Sequence, residues 1–129
     1  MFNDGTIRDY QKRTHQWTVG KNFDSTGGFG PFMTTPDELP AGAKGLQITT
    51  KLNGNIMQNA TTADMIFSVA KTIKLMSECF TLEPGDVIVS GTPEGVGYAR
   101  TPPIYMKPGD EVSVEIEKIG KLVNCVELM

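Results

Sequence analysis

Leu46, Ile48, Thr50 and Leu52 occupy every second position up to an Asn53-Gly54 pair. A period of two places these side chains on one face of a strand, and Asn-Gly tolerates the positive φ that a tight reversal needs. The spacing predicts a β-hairpin in which Asn55-Ile56-Met57-Gln58 returns as the second strand. Two matching tripeptides, Pro84-Gly85-Asp86 and Pro108-Gly109-Asp110, are turn chemistry, and each precedes a β-rich run. The runs are Val87-Ile88-Val89 and the alternating Val112, Val114 and Ile116. Lys118-Ile119-Gly120-Lys121 then reverses the chain into Leu122 to Leu128, which predicts a second antiparallel pair at the end of the sequence.

One helix is expected between these strands. Thr61-Thr62-Ala63-Asp64 has capping-box chemistry, and behind it Ile66, Val69, Ile73, Met76 and Phe80 recur at three- and four-residue spacing. That stripe predicts a helix of about four to five turns over 62 to 80 with one buried face. The fold class expected is mainly β with one principal helix, an α+β arrangement. A length of 129 residues suits one domain and is too short for two, so residues 1–129 are read as a single unit.

Composition narrows the function classes. The net charge is -3 and the twelve Lys and Arg are scattered, so there is no basic stripe for a phosphate backbone and nucleic acid is set aside. Cys79 and Cys125 lie on apolar-patterned stretches without CxxC spacing, and are expected as buried free thiols in a reducing compartment. No apolar run approaches the roughly 20 residues of a membrane helix, so no membrane partner is expected and the cytoplasm is the expected location.

Residues 1 to 40 are rich in glycine and proline, with Trp17, Phe23, Phe29 and Phe32 as apolar anchors, and read as an ordered binding segment. Its polar groups, among them Asn3, Asp4, Arg8, Asp9, Gln11, Lys21, Asp24 and Ser25, are either site residues or solvated loop charges. Gly91-Thr92-Pro93-Glu94-Gly95-Val96-Gly97 follows an expected strand, where glycines allow close backbone approach and Thr92 could hold an anionic group.

These blocks resemble one family. Asn3-Asp4, Arg8-Asp9 and Gln11, then Trp17, Gly20-Lys21, Phe23-Asp24 and Gly30-Pro31, are similar to the fumarylacetoacetate hydrolase pattern N-D-x-x-x-R-D-x-Q, W-x-x-G-K-x-F-D and G-P. Leu52-Asn53-Gly54, Asp64 to Ser68, Leu82 to Asp86, Gly91 to Gly97 and Lys107 to Asp110 continue the resemblance in order. It implies the carboxy-terminal part of a catalytic domain with a mixed β-roll or sandwich. It also implies a magnesium or manganese ion held by three carboxylates, of which Asp4 is one and an upstream Glu-x-Glu pair supplies two.

In the same reading Lys21 lies beside the metal as a catalytic residue, Arg8 and Gln11 contact the substrate carboxylate or carbonyl side, and Thr92 binds its distal part. Ser25 falls near the metal shell. Substrates of the family are small 2-oxo or β-diketo acids, hydrolysed, decarboxylated, tautomerised or isomerised through a metal-stabilised enolate. No Glu-x-Glu precedes Asp4; Glu115-Ile116-Glu117 has the spacing but the wrong place in the order. The chain is therefore expected to begin within a domain, with the missing amino-terminal part and a homo-oligomer mate as partners. His15 reads as an exposed loop imidazole. A non-catalytic β-rich binding or interaction module is the alternative to an enzyme.

Overall fold

The computed structural model describes residues 1–128. Its centre is a four-stranded antiparallel sheet built from β1 (Gln47–Leu52), β2 (Asn55–Thr61), β3 (Glu111–Ile116) and β4 (Gly120–Cys125), in spatial order β2-β1-β3-β4. The two hairpins are those expected from the alternation. At the first, Asn53 and Gly54 take φ of 49° and 79°, the left-handed pair that matches the twist of two short-looped strands. At the second, Lys118 at φ 62° precedes Gly120 at the start of β4.

The hairpins are joined through β1 and β3, with Ile48 opposite Ile116, Thr50 opposite Val114 and Leu52 opposite Val112. Because side chains alternate across a sheet, these six share one face, and Leu122, opposite Val114, joins them. Leu46, Val112, Val114 and Leu122 are the buried apolar core. The reverse face carries Thr49, Lys51, Ser113 and Glu115.

Both Pro-Gly-Asp tripeptides form the same turn. Asp86 N–H donates to Glu83 C=O at 3.1 Å and Asp110 N–H to Lys107 C=O at 3.0 Å. Gly85 and Gly109 have φ of 102° and 90°, the type II arrangement with proline one position earlier. In each, the aspartate also accepts from the amide three residues back, Glu83 N–H at 2.8 Å and Lys107 N–H at 2.7 Å.

Three expectations are corrected. Val87-Ile88-Val89 does not form a strand: the turn before it forms, but no ladder takes up its amides, and Val87 and Val89 are exposed. The helix is shorter than 62 to 80. Thr61 Oγ1 accepts from Ala63 N–H at 3.3 Å, which caps only a single 3₁₀ turn, Thr62–Asp64. Met65 then leaves helical geometry at ψ 125°, and Ser68, accepting from Lys71 N–H at 3.3 Å, caps α2 (Val69–Ser77). A short α1 (Arg8–Gln11) precedes it in the chain. Both cysteines are free as expected but exposed rather than buried. Cys125 ends edge strand β4, and Cys79 follows α2, which buries none of its residues. Among the described residues no helix is long and apolar enough to cross a membrane.

Candidate active site

The amino-terminal segment is folded back so that its polar groups meet. Ile7 N–H donates to Gly20 C=O at 2.9 Å, which presses α1 against the Val19–Lys21 turn. Only glycine permits this approach: a Cβ on residue 20 would lie 2.7 Å from Gln11 Cβ and 2.8 Å from its backbone nitrogen. Lys21, next in the chain, thereby reaches Asp4, and its ammonium donates to Asp4 Oδ2 in a partly buried ion pair. On α1, Arg8 Nη1 donates to Gln11 Oε1 at 2.6 Å, and Gln11 is buried. Two backbone bonds, Asn3 N–H to Gly28 C=O at 2.8 Å and Gly30 N–H to Met1 C=O at 3.1 Å, close the segment. Of the four aromatic anchors only Phe23 is packed, edge-on to Tyr10 at 4.7 Å between centroids; Trp17, Phe29 and Phe32 are exposed. The segment is held chiefly by hydrogen bonds.

A second group comes from a β-bulge. The β1–β2 register slips between Thr50 and Lys51, so that Met57 has no partner on β1. Its carbonyl accepts instead from Arg100 Nη2 at 2.5 Å, while Arg100 Nε donates to Gly95 C=O at 3.2 Å. Bulges bend a strand and re-aim the side chains beside them. Here Gln58, the next residue, donates from Nε2 to Thr92 Oγ1 at 2.8 Å and to Pro93 C=O at 2.8 Å. The Gly91–Gly97 stretch is thus docked on β2. Gly95 and Gly97 serve this internal docking: Cβ atoms there would lie 2.2 Å from Met57 O and 2.3 Å from Ile104 O.

One cleft of about 590 Å³ takes in both groups. Asp4, Arg8, Gln11, Lys21 and Thr92, the five residues singled out from the sequence, all line it. The sheet face of Ile48, Thr50, Leu52, Val112, Val114 and Ile116 supplies its apolar wall. Arg8 and Lys21 set two cations against Asp4, the single carboxylate that lines the cleft among the described residues, so the cleft favours anions. Gln58 and Tyr98 also line it and were not anticipated. Lys12 Nζ stands 4.0 Å and Arg8 Cζ 5.3 Å from the Tyr98 ring centroid. A hairpin position and a residue one past the glycine stretch carry no local sequence pattern that would have flagged them.

Other candidates lie elsewhere. Ser25 is exposed, with φ 57° in a turn, and does not line the cleft. His15 is exposed and also outside it. Glu117 accepts from Gln47 N–H at 3.2 Å, a contact at the ends of the two central strands and away from the cleft. Among the described residues no three of His, Cys, Asp and Glu come together. A hard divalent ion needs several fixed charged oxygens, so the donor set of the described residues, with Asp4 the single carboxylate on the cleft, does not by itself fit a magnesium site.

The family model for the fumarylacetoacetate (FAA) hydrolase carboxy-terminal region matches residues 1–127. A mitochondrial oxaloacetate tautomerase of Rattus norvegicus is 42% identical over 127 residues, which cover 98% of this chain and 40% of that protein. An oxaloacetate tautomerase of Bacillus subtilis is 40% identical over 126 residues, covering 98% of this chain and 42% of its own. The structure of a fumarylacetoacetate hydrolase from Exiguobacterium antarcticum superposes with a TM-score of 0.94 at 40% identity, covering 99% of this chain and 46% of that one. The chain thus spans somewhat under half the length of these proteins. A model match over nearly every residue, joined to a shared fold at this identity, establishes that the chain belongs to the fumarylacetoacetate hydrolase family.

Proposed function

We propose that this chain forms the substrate-holding part of an enzyme that moves a proton between carbon and oxygen in a small 2-oxo dicarboxylic acid, with oxaloacetate as the first substrate to test. The observation that carries this reading is the cation-rich cleft in which Lys21, Asp4 and Arg8 come together against an apolar sheet face. Arg8 offers a planar two-pronged contact to the carboxylate next to the oxo group, and its bond to Gln11 holds that guanidinium in one orientation. Lys21 places an ammonium where negative charge develops on the enolate oxygen, and Asp4 fixes that ammonium. Thr92 faces the distal carboxylate. The relatives named for tautomerisation of oxaloacetate support this class of substrate. A magnesium or manganese ion bound through Asp4 would need further fixed oxygens beyond those of this chain.

The test uses a chimera in which residues 1–128 replace the matching stretch of the Bacillus subtilis tautomerase. Enol-to-keto conversion of oxaloacetate, followed by ultraviolet absorbance, is expected. Lys21→Ala should lower turnover at least about tenfold with the circular dichroism spectrum unchanged. Equal turnover in the variant would remove Lys21 from the chemistry. No conversion of oxaloacetate by a folded chimera would favour a non-catalytic binding module.

A further inference from the structure

We infer that Gln58 is a positioning residue that fixes the Thr92 hydroxyl as a hydrogen-bond donor to the distal carboxylate of a dianionic ligand; this rests on the function proposed above. The Pro93 carbonyl can only accept, so the end of the Gln58 side chain that meets it at 2.8 Å must be the amino group. The same Nε2 lies 2.8 Å from Thr92 Oγ1. One of its two hydrogens goes to each oxygen, and Thr92 is therefore an acceptor toward Gln58. A hydroxyl that accepts on one side keeps its single proton for another partner, and Thr92 lines the cation-rich cleft. An anionic oxygen there meets a donor already turned toward it, with little ordering left to be done on binding.

Two further features hold Gln58 in this role. The bulge at Met57 shifts the register of β2 immediately before Gln58. Arg100 locks that bulge by bonding both the Met57 and Gly95 carbonyls, which ties the strand to the far end of the Thr92 loop. The amide thus acts on the ligand through Thr92.

Glu in place of Gln58 keeps the shape but reverses the logic. A carboxylate has no hydrogen for Thr92 or Pro93, so the Thr92 proton turns toward Glu and is lost to the ligand. In the chimera, Gln58→Glu should raise KM for oxaloacetate at least about tenfold while kcat falls less than threefold, and Thr92→Val should do the same. Gln58→Met removes the amide without adding a charge and should raise KM in the same direction; combined with Thr92→Val it should be no worse than about the poorer single one, because both changes remove one interaction. Calorimetry supplies a readout independent of turnover: Gln58→Met should weaken succinate binding at least about tenfold and acetate binding by less than about twofold. Additive losses, equal loss for the two acids, or no succinate binding by the folded parent would overturn the proposal. Selective loss of succinate in a chimera that turns over no oxo acid would uphold it and overturn the tautomerase reading instead.

Discussion

At Gly20 a hydrogen stands where a methyl would lie 2.7 to 2.9 Å from Gln11 Cβ, N and Cα. Backbone at that distance cannot yield as a flexible side chain can, so Gly20→Ala must push α1 from the Val19–Lys21 turn. The expected cost is about 1–3 kcal/mol, the range for overpacking a tight contact. The Lys21–Asp4 pair should loosen as well, since Lys21 ends that turn and Asp4 lies in the segment that leads into α1. Gly5→Ala is the control: its nearest neighbour beyond the adjacent residues, Met106 Cε, is 3.9 Å away, an ordinary contact. Denaturant unfolding of both variants checks this, and equal stability would mean that the segment is looser than the Gly20 approach requires.

The elements are pinned at their ends. Asn53, at the tip of the first hairpin, donates from Nδ2 to Asp110 Oδ1 at 2.8 Å and accepts from Glu111 N–H at 2.9 Å, while its own amide donates to Glu111 C=O. The β1–β2 turn is thereby tied to the Pro-Gly-Asp turn that starts β3. The Asn53 amide, and after it the Lys107 backbone N–H, hold the Asp110 carboxyl below the usual aspartate range. Bonds to the charged form make the folded value lower than the unfolded one. Their stabilisation is therefore present above about 3.9, the unfolded aspartate value, and disappears as pH falls through the lower folded value. Asp110→Asn, which cannot titrate, should lose this acid-side decline and be less stable at neutral pH. Denaturant midpoints from pH 7 down to about 2.5 measure it, and identical acid limbs in the two proteins would contradict the linkage.

For the whole molecule, what stays uncovered matters. The strand order leaves β2 and β4 as sheet edges, and Met33 at 94% and Ile66 at 93% exposure join Trp17, Val87 and Val89 as large apolar groups in contact with water. Open edges and exposed apolar surface favour association, so the 129-residue chain made alone should form oligomers or larger species at about 100 μM and convert no oxaloacetate. Light scattering with the ultraviolet assay on one sample decides this; a monodisperse, active monomer would contradict it. The sequence by itself determined the two hairpins and both Pro-Gly-Asp turns, because a strand period of two, an Asn-Gly pair and a proline-glycine turn act through neighbouring residues alone. It also marked Asp4, Arg8, Gln11, Lys21 and Thr92 as candidates among polar groups in glycine-rich loops, and the family resemblance gave each an expected role. The tertiary structure decided the rest. Ser68 competed successfully with Thr61 to start the helix, and Val87–Val89 formed no strand because pairing depends on a neighbour that local chemistry does not supply. Gln58 and Arg100 gained their roles only when a bulge at Met57 met a loop more than thirty residues away, a coincidence in space that one-dimensional spacing does not encode.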